Sequence, residues 1–162
     1  MSTWNGIRSR LENNYLAQSL KGHIRYYATS YSKCPDHYGR ASIVFDGKEI
    51  LSGSYYYPYS KTHLLPEHLR YSAGLPYDRM DNTALEFGRF DQQCFYRAFE
   101  IFDNQSIEKS LYDENLLVRI FAVLDRRVGK RRLLAMKENI NNEPEIFQEF
   151  FFIRINAEHI NF

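Results

Sequence analysis

Asp46-Gly47 stands between two runs that carry apolar residues at strand spacing, Ala41, Ile43 and Phe45 before it and Ile50-Leu51 after it. A two-residue type I′ turn needs positive φ at both central positions, and Asp-Gly accepts that geometry more readily than most pairs. The dipeptide therefore predicts an antiparallel hairpin and its register together. Upstream, Ile24, Tyr26 and Ala28 alternate with Arg25, Tyr27 and Thr29, the period-two pattern of a half-buried strand rich in β-favouring residues. A turn at Cys34-Pro35-Asp36-His37-Tyr38-Gly39 joins that strand to the hairpin, so three antiparallel strands are expected. Pro58 confines any extension through Tyr55-Tyr56-Tyr57-Pro58-Tyr59 to an edge or a loop.

The sheet is flanked by helical patterns. Trp4, Ile7, Leu11, Tyr15 and Leu20 predict an amphipathic helix over 4–20, with Thr3 as N-cap and Gly22 ending it. Residues 60–82, with Pro66, Gly74 and Pro76, read as a connector with a short helical stretch near Glu67 and Tyr71. Beyond Arg89 the period is helical. Phe90, Cys94, Phe95, Ala98, Phe99 and Phe102 share a face behind an Asp91 cap, and Ser106-Ile107-Glu108-Lys109 forms a capped turn. Asp113 starts a helix striped by Leu116, Leu117, Ile120, Phe121 and Leu124, and Gly129 fits the left-handed residue past its end. Residues 130–139 continue as a helix, and Pro144 opens a last one carrying Phe147, Phe150, Phe151 and Ile155. The expected class is α+β: an N-terminal helix, a three-stranded antiparallel sheet, then about four C-terminal helices. One domain over 1–162 is expected, with helix and sheet in 1–75 and the helical part in 76–162.

Composition narrows the chemistry. Twelve Phe, thirteen Tyr and Trp4 in 162 residues supply large rings for one core, and the excess of Tyr suggests rings at the core boundary with hydrated hydroxyls. Cys34 and Cys94 share no motif, which suits a reduced interior, and no run is apolar enough for a signal peptide or a membrane span. A soluble cytoplasmic protein is expected. His23, His37, His63, His68 and His159 lack metal-ligand spacing, and Gly-rich phosphate loops, a Gly-x-Ser-x-Gly elbow and a Cys/His nucleophile pattern are absent. No cofactor, no metal and no catalytic residue are assigned.

Charge is unevenly distributed. The net is +4 over 1–75, −5 over 76–118, +6 over 119–137 and −4 over 138–162. The basic block centres on Asp125-Arg126-Arg127-Val128-Gly129-Lys130-Arg131-Arg132-Leu133, where five cations fall in seven residues. Its acidic flanks can absorb that charge internally, with Asp125, in the last turn of its helix, opposing the macrodipole and calling for a nearby Arg. If the run binds a partner, Arg126, Arg127, Lys130, Arg131 and Arg132 are the candidate residues. Tyr26, Tyr27, Tyr31 and the 55–59 cluster either cover the open sheet face or add an aromatic surface. Pro35-Asp36 with Asp46-Gly47-Lys48 matches a nuclease pattern in which two carboxylates hold a divalent metal and a lysine supports the water, with Glu49 as a spare carboxylate. That chemistry needs Asp-x-Lys inside a strand, whereas Asp46-Gly47 reads as the turn itself.

Trp4-Asn5-x-Ile7-Arg8-x-x-Leu11, Asp46-Gly47-Lys48-Glu49-Ile50 and above all the Asp-Arg-Arg-x-Gly-Lys-Arg run resemble a family of short bacterial proteins. The resemblance spans nearly the whole chain and implies a bacterial cytoplasmic origin and a free-standing domain, but no catalytic residue, cofactor or substrate. Residues 113–122 with Leu124 and Gly129 are similar to one unit of HEAT-type repeats, yet a lone unit cannot build a solenoid and no second copy is evident. The expected function is that of a small non-catalytic protein that binds another macromolecule, a protein first. The alternatives are a nucleic-acid binder using the 126–132 cluster and a metal-dependent nuclease using Asp36, Asp46, Lys48 and Glu49. No membrane partner is expected, and oligomeric state is not legible from one chain.

Overall fold

The computed structural model describes residues 3–33, 39–54, 63–64 and 82–161. Strands β1 (Ile24–Ser30), β2 (Gly39–Phe45) and β3 (Lys48–Ser54) form one antiparallel sheet in the order β1-β2-β3. The hairpin register pairs Phe45 with Lys48, and the two residues between them, Asp46 and Gly47, have φ of 47° and 83°. This is the positive-φ turn the dipeptide demanded. Ile24 and Tyr26 of β1, Ala41 and Ile43 of β2 and Leu51 of β3 are buried, whereas Arg25 and Tyr27, which alternate with the first two, are exposed.

Helix α1 (Trp4–Ser9) starts at Thr3, whose Oγ1 accepts from the Gly6 N–H at 3.2 Å, and runs into a π-helical turn, Arg10–Tyr15. The helix expected over 4–20 thus stops at Tyr15. Leu16 turns extended and bridges to Asp125, the Tyr15 carbonyl accepts from Arg126 N–H at 2.7 Å, and Ala17 N–H donates to the Leu124 carbonyl at 2.9 Å. The backbone groups that would have continued the helix are taken by a segment more than a hundred residues away. Leu20 still reaches the core, through a 3-10 turn at Gln18–Leu20, and Gly22 follows with φ of 82°.

Helix α2 (Asn82–Glu86) lies past the 60–82 connector and has only Ala84 and Leu85 buried, too short a pattern to read by period. Tertiary bonds hold it: the Asn82 side chain donates to the Glu114 carbonyl at 2.7 Å and accepts from Leu116 N–H at 3.0 Å. Helix α3 (Gln92–Asp103) follows its Asp91 cap, and α4 (Ile107–Leu111) its Ser106 cap. Helix α5 (Leu116–Val123) is capped by Asn115, not Asp113, because Asn115 Oδ1 accepts from both Leu117 and Val118 N–H while Asp113 bonds Asn115 N–H. Helix α6 (Lys130–Met136) tightens into a 3-10 segment, Lys137–Asn142, and α7 (Glu145–Ala157) begins after Pro144. The expected turn at 34–38, the Tyr55–59 cluster and the helical stretch near Glu67 and Tyr71 lie outside the described residues.

Seven of the eight residues of α5 are buried, so it is the central helix, packed against α2, α3, α4 and α7. Phe121 on it meets Tyr26, Phe95 and Phe102 edge-on at ring separations of 5.7–5.9 Å, while Phe90 stacks on Phe95 at 6.0 Å. Removing a ring so placed costs about 3–5 kcal/mol. One cluster of buried side chains thus runs from the sheet through α3 to α5 and α7. Among the described tyrosines Tyr26 is buried, Tyr15, Tyr31 and Tyr96 are half-buried, and Tyr27 and Tyr112 are exposed. Core filling falls mainly to Phe, and Tyr mostly occupies the boundary.

Candidate partner-binding site at the basic corner

The corner between α5 and α6 is built from within. Its backbone carbonyls turn inward, and the guanidinium of Arg154 on α7, only 3% exposed, meets three of them. Nη1 donates to Val123 O at 2.9 Å and Asp125 O at 2.7 Å, Nη2 donates to Val128 O at 2.6 Å, and Nε donates to Glu158 at 2.9 Å. A cation at the end of α5 also opposes the negative pole of its dipole. Burial pulls Arg154 below the ordinary arginine range, against the attraction of Glu158 and Asp125.

Asp125 is fully buried, two residues past Val123 and not in the last helical turn. Its carboxylate accepts three bonds from Arg127: backbone N–H at 2.7 Å, Nε at 3.0 Å and Nη2 at 2.8 Å. Gly129 is a second correction. With φ of −85° and ψ of 172° it is extended and serves as the N-cap of α6. The α5 helix ends at Val123, six residues before Gly129, and the Ile120 and Ala122 carbonyls of its last turn already accept from Leu124 and Asp125 N–H, so Gly129 does not stand at the left-handed position.

The N-terminal segment then closes over the corner. The Arg127 guanidinium lies 5.0 Å from the Tyr15 ring centre and 5.7 Å from that of Phe102, and Arg10 lies 5.5 Å from Tyr15. Asp103, at the end of α3, accepts from Arg10 Nη1 at 2.7 Å, from a second Arg10 nitrogen and from the Tyr15 hydroxyl. Partial burial pushes Asp103 up, but those hydrogen bonds and the charges of Arg10 and Arg127 outweigh it and hold the carboxyl below its usual value. Arg127 is held above its usual value, chiefly by its bonds to Asp125.

The five sequence-designated cations therefore separate into two groups. Arg127 is tied to Asp125, and Arg132 donates to Glu108 on α4 at 2.5 Å. Arg126, Lys130 and Arg131 are exposed and form no ion pair or side-chain hydrogen bond with any described residue. Leu134, one turn after Lys130 and Arg131, is 40% exposed. Arg10, Tyr15, Asp103 and Arg154 were missed by the sequence reading. The visible signal for Arg154 was a lone charge inside Phe150-Phe151-Phe152-Ile153-Arg154-Ile155, whereas nothing local marked the other three.

Catalytic candidates fare differently. Asp46 sits in the hairpin turn and its carboxylate meets His23 Nδ1 at 2.6 Å, Glu49 pairs with Arg40 at 2.8 Å, and Asp36 lies outside the described residues. Cys94 is 7% exposed and burial pushes its thiol up to about 12, so it is not a thiolate near neutral pH. A cleft of about 950 Å³ between α1 and α3, with Ile7, Phe99 and Tyr96 in its lining, reaches Asp103 at one end. Among the described residues no group of three or more His, Cys, Asp or Glu is placed to hold a metal, and no helix is long and apolar enough to cross a membrane.

Neither the curated proteins nor the solved structures contain a match to this chain. A family model does match, covering residues 3–155, which takes in the N-terminal segment, the hairpin, the basic corner and Arg154 together. The chain belongs to the SF0329 protein family.

Proposed function

We propose that this is a non-catalytic domain of the bacterial cytoplasm that binds an acidic surface on another protein through Arg126, Lys130 and Arg131. The observation that carries the reading is the division of the corner. A cluster used only to hold its own fold would spend all its cations on internal carboxylates, yet three of the five keep their charge in solvent. Those three sit on a rigid support, because Arg154, Asp125 and the Tyr15 segment fix the backbone beneath them, so little ordering entropy is lost when a partner arrives.

Protein is favoured over nucleic acid by what stands among the cations. Leu134 adds exposed apolar surface next to Arg131, and Glu108 and Glu138 are exposed carboxylates on the same corner and on the segment after α6, where a phosphate ridge would be repelled. A polyglutamate peptide and a short DNA duplex, each followed by fluorescence anisotropy, test this. The peptide should bind at low salt, and Arg131→Glu or Lys130→Glu should abolish binding while circular dichroism shows an intact fold. Duplex affinity that exceeds peptide affinity and falls by orders of magnitude between about 50 and 200 mM salt would replace the protein reading with the nucleic-acid one. Binding of neither probe would refute both.

A further inference from the structure

Helix α7 turns a second charged stripe to solvent. Glu145, Glu149, Phe152 and Asn156 recur at steps of four, three and four residues, the spacing of one helical face, and all four are exposed, Phe152 by 40%. Glu143 and Glu158, at the two ends of the helix, are spent on Arg119 and Arg154, but Glu145 and Glu149 form no ion pair with any described residue. The outer face of α6 is the opposite in sign and similar in shape: unpaired Lys130 and Arg131, followed one turn later by exposed Leu134.

The spacings correspond. The step from Arg131 to Leu134 is three residues, as is the step from Glu149 to Phe152. With the two helices side by side and running in the same direction, Glu149 meets Arg131 while Phe152 meets Leu134, and Glu145 extends toward the remaining cations of the corner. Within one chain these groups stay apart, as their unpaired state shows. We infer that the acidic partner of the basic corner is a second copy of this chain, which lays the Glu145-Glu149-Phe152 stripe of its α7 against Lys130, Arg131 and Leu134 of α6. Two copies related by a two-fold axis would make this contact twice. The inference rests on the basic corner being a protein-binding site and names its occupant.

Sedimentation velocity on the full chain tests it, with Arg131→Glu, Glu149→Lys and the doubly exchanged chain beside the unaltered one. The unaltered chain should self-associate at low salt and dissociate as salt rises. Each single reversal puts like charges face to face and should weaken association by at least about tenfold, and the double exchange should restore it. Both altered positions are exposed, so circular dichroism should show unchanged folding. An unaltered chain that stays monomeric up to about 1 mM, weaker than specific association reaches, would overturn the inference, as would association that survives both single reversals. The polyglutamate probe separates the two failures: a monomeric chain that still binds it defeats only the second-copy assignment, whereas a monomeric chain that ignores it defeats the binding site as well.

Discussion

Replacing Arg154 by Met removes the one side chain that holds the corner's carbonyls. The thioether chain is close to the arginine stem in volume, so the change isolates the guanidinium and leaves packing nearly intact. Val123, Asp125 and Val128 each lose a bond of 2.6–2.9 Å; the Asp125 carbonyl keeps the Val128 N–H at 3.1 Å, and a buried acceptor left without a partner costs about 1–3 kcal/mol. Relief from burying the guanidinium offsets part of that sum. The partly exposed Glu158 contact adds at most about 1 kcal/mol. A net loss of about 3–5 kcal/mol is expected, the usual size for breaking a buried ionic arrangement by deleting one member. In a chain of this length that lowers Tm by roughly 6–20 °C. Urea denaturation followed by circular dichroism gives the free energy, and an unchanged m-value confirms that the folded state is otherwise preserved. Arg154→Lys should recover only part of it, since a single ammonium lacks the planar fork that reaches three carbonyls. Hydrogen exchange should show Ala17 and Arg126 N–H losing protection before the sheet does, because both donate across the corner. A Met variant within about 0.5 kcal/mol of the unaltered protein would refute the assignment of Arg154 as the corner's support.

Three further outcomes are expected. Gly53→Ala should cost about 3 kcal/mol in the same denaturation assay, because its Cβ would overlap three ring carbons of buried Phe90, and Phe90→Leu in the same chain should recover part of the loss. Asp91 is buried, with Oδ1 on the Gln93 N–H and Oδ2 without a partner among the described residues, and burial raises its pKa above the ordinary carboxylate value. Folding thus favours the protonated acid, so its contribution is greatest below the unfolded pKa and declines as pH rises through the folded one; Asp91→Asn, which still caps α3, should flatten that slope in stability measured against pH. Asp103 has the opposite sign: its folded pKa lies below its ordinary value, so its contribution is complete above the unfolded pKa and is lost as pH falls through the folded one. Asp103→Asn should remove that acid-side loss, and equal pH profiles for the two chains would contradict the Arg10–Asp103–Tyr15 arrangement.

Much of the fold was legible because its signals are local. Asp46-Gly47 carried the hairpin register in two residues, the alternation from Ile24 to Ala28 marked which side of β1 is buried, and Thr3, Asp91 and Ser106 each cap a helix through a bond to a backbone N–H two or three residues away. Two of the errors share one cause. The break at Leu16 and the existence of α2 are each decided by a partner remote in sequence: Leu124 to Arg126, and the α5 start at Glu114 and Leu116.

The candidate site divides in the same way. The sequence alone determined that five cations crowd one short segment and that acidic stretches lie on both sides of it. It could not assign which cation meets which carboxylate, because ion pairing falls off within a few ångströms and is set by tertiary distance. Only the folded chain brought Glu108 to Arg132 and the Tyr15 segment to Arg127, and left Arg126, Lys130 and Arg131 in water. Local hydrogen bonding and hydrophobic period wrote the elements into the chain, while the fate of each charge was decided when remote backbone carbonyls and carboxylates were packed around it.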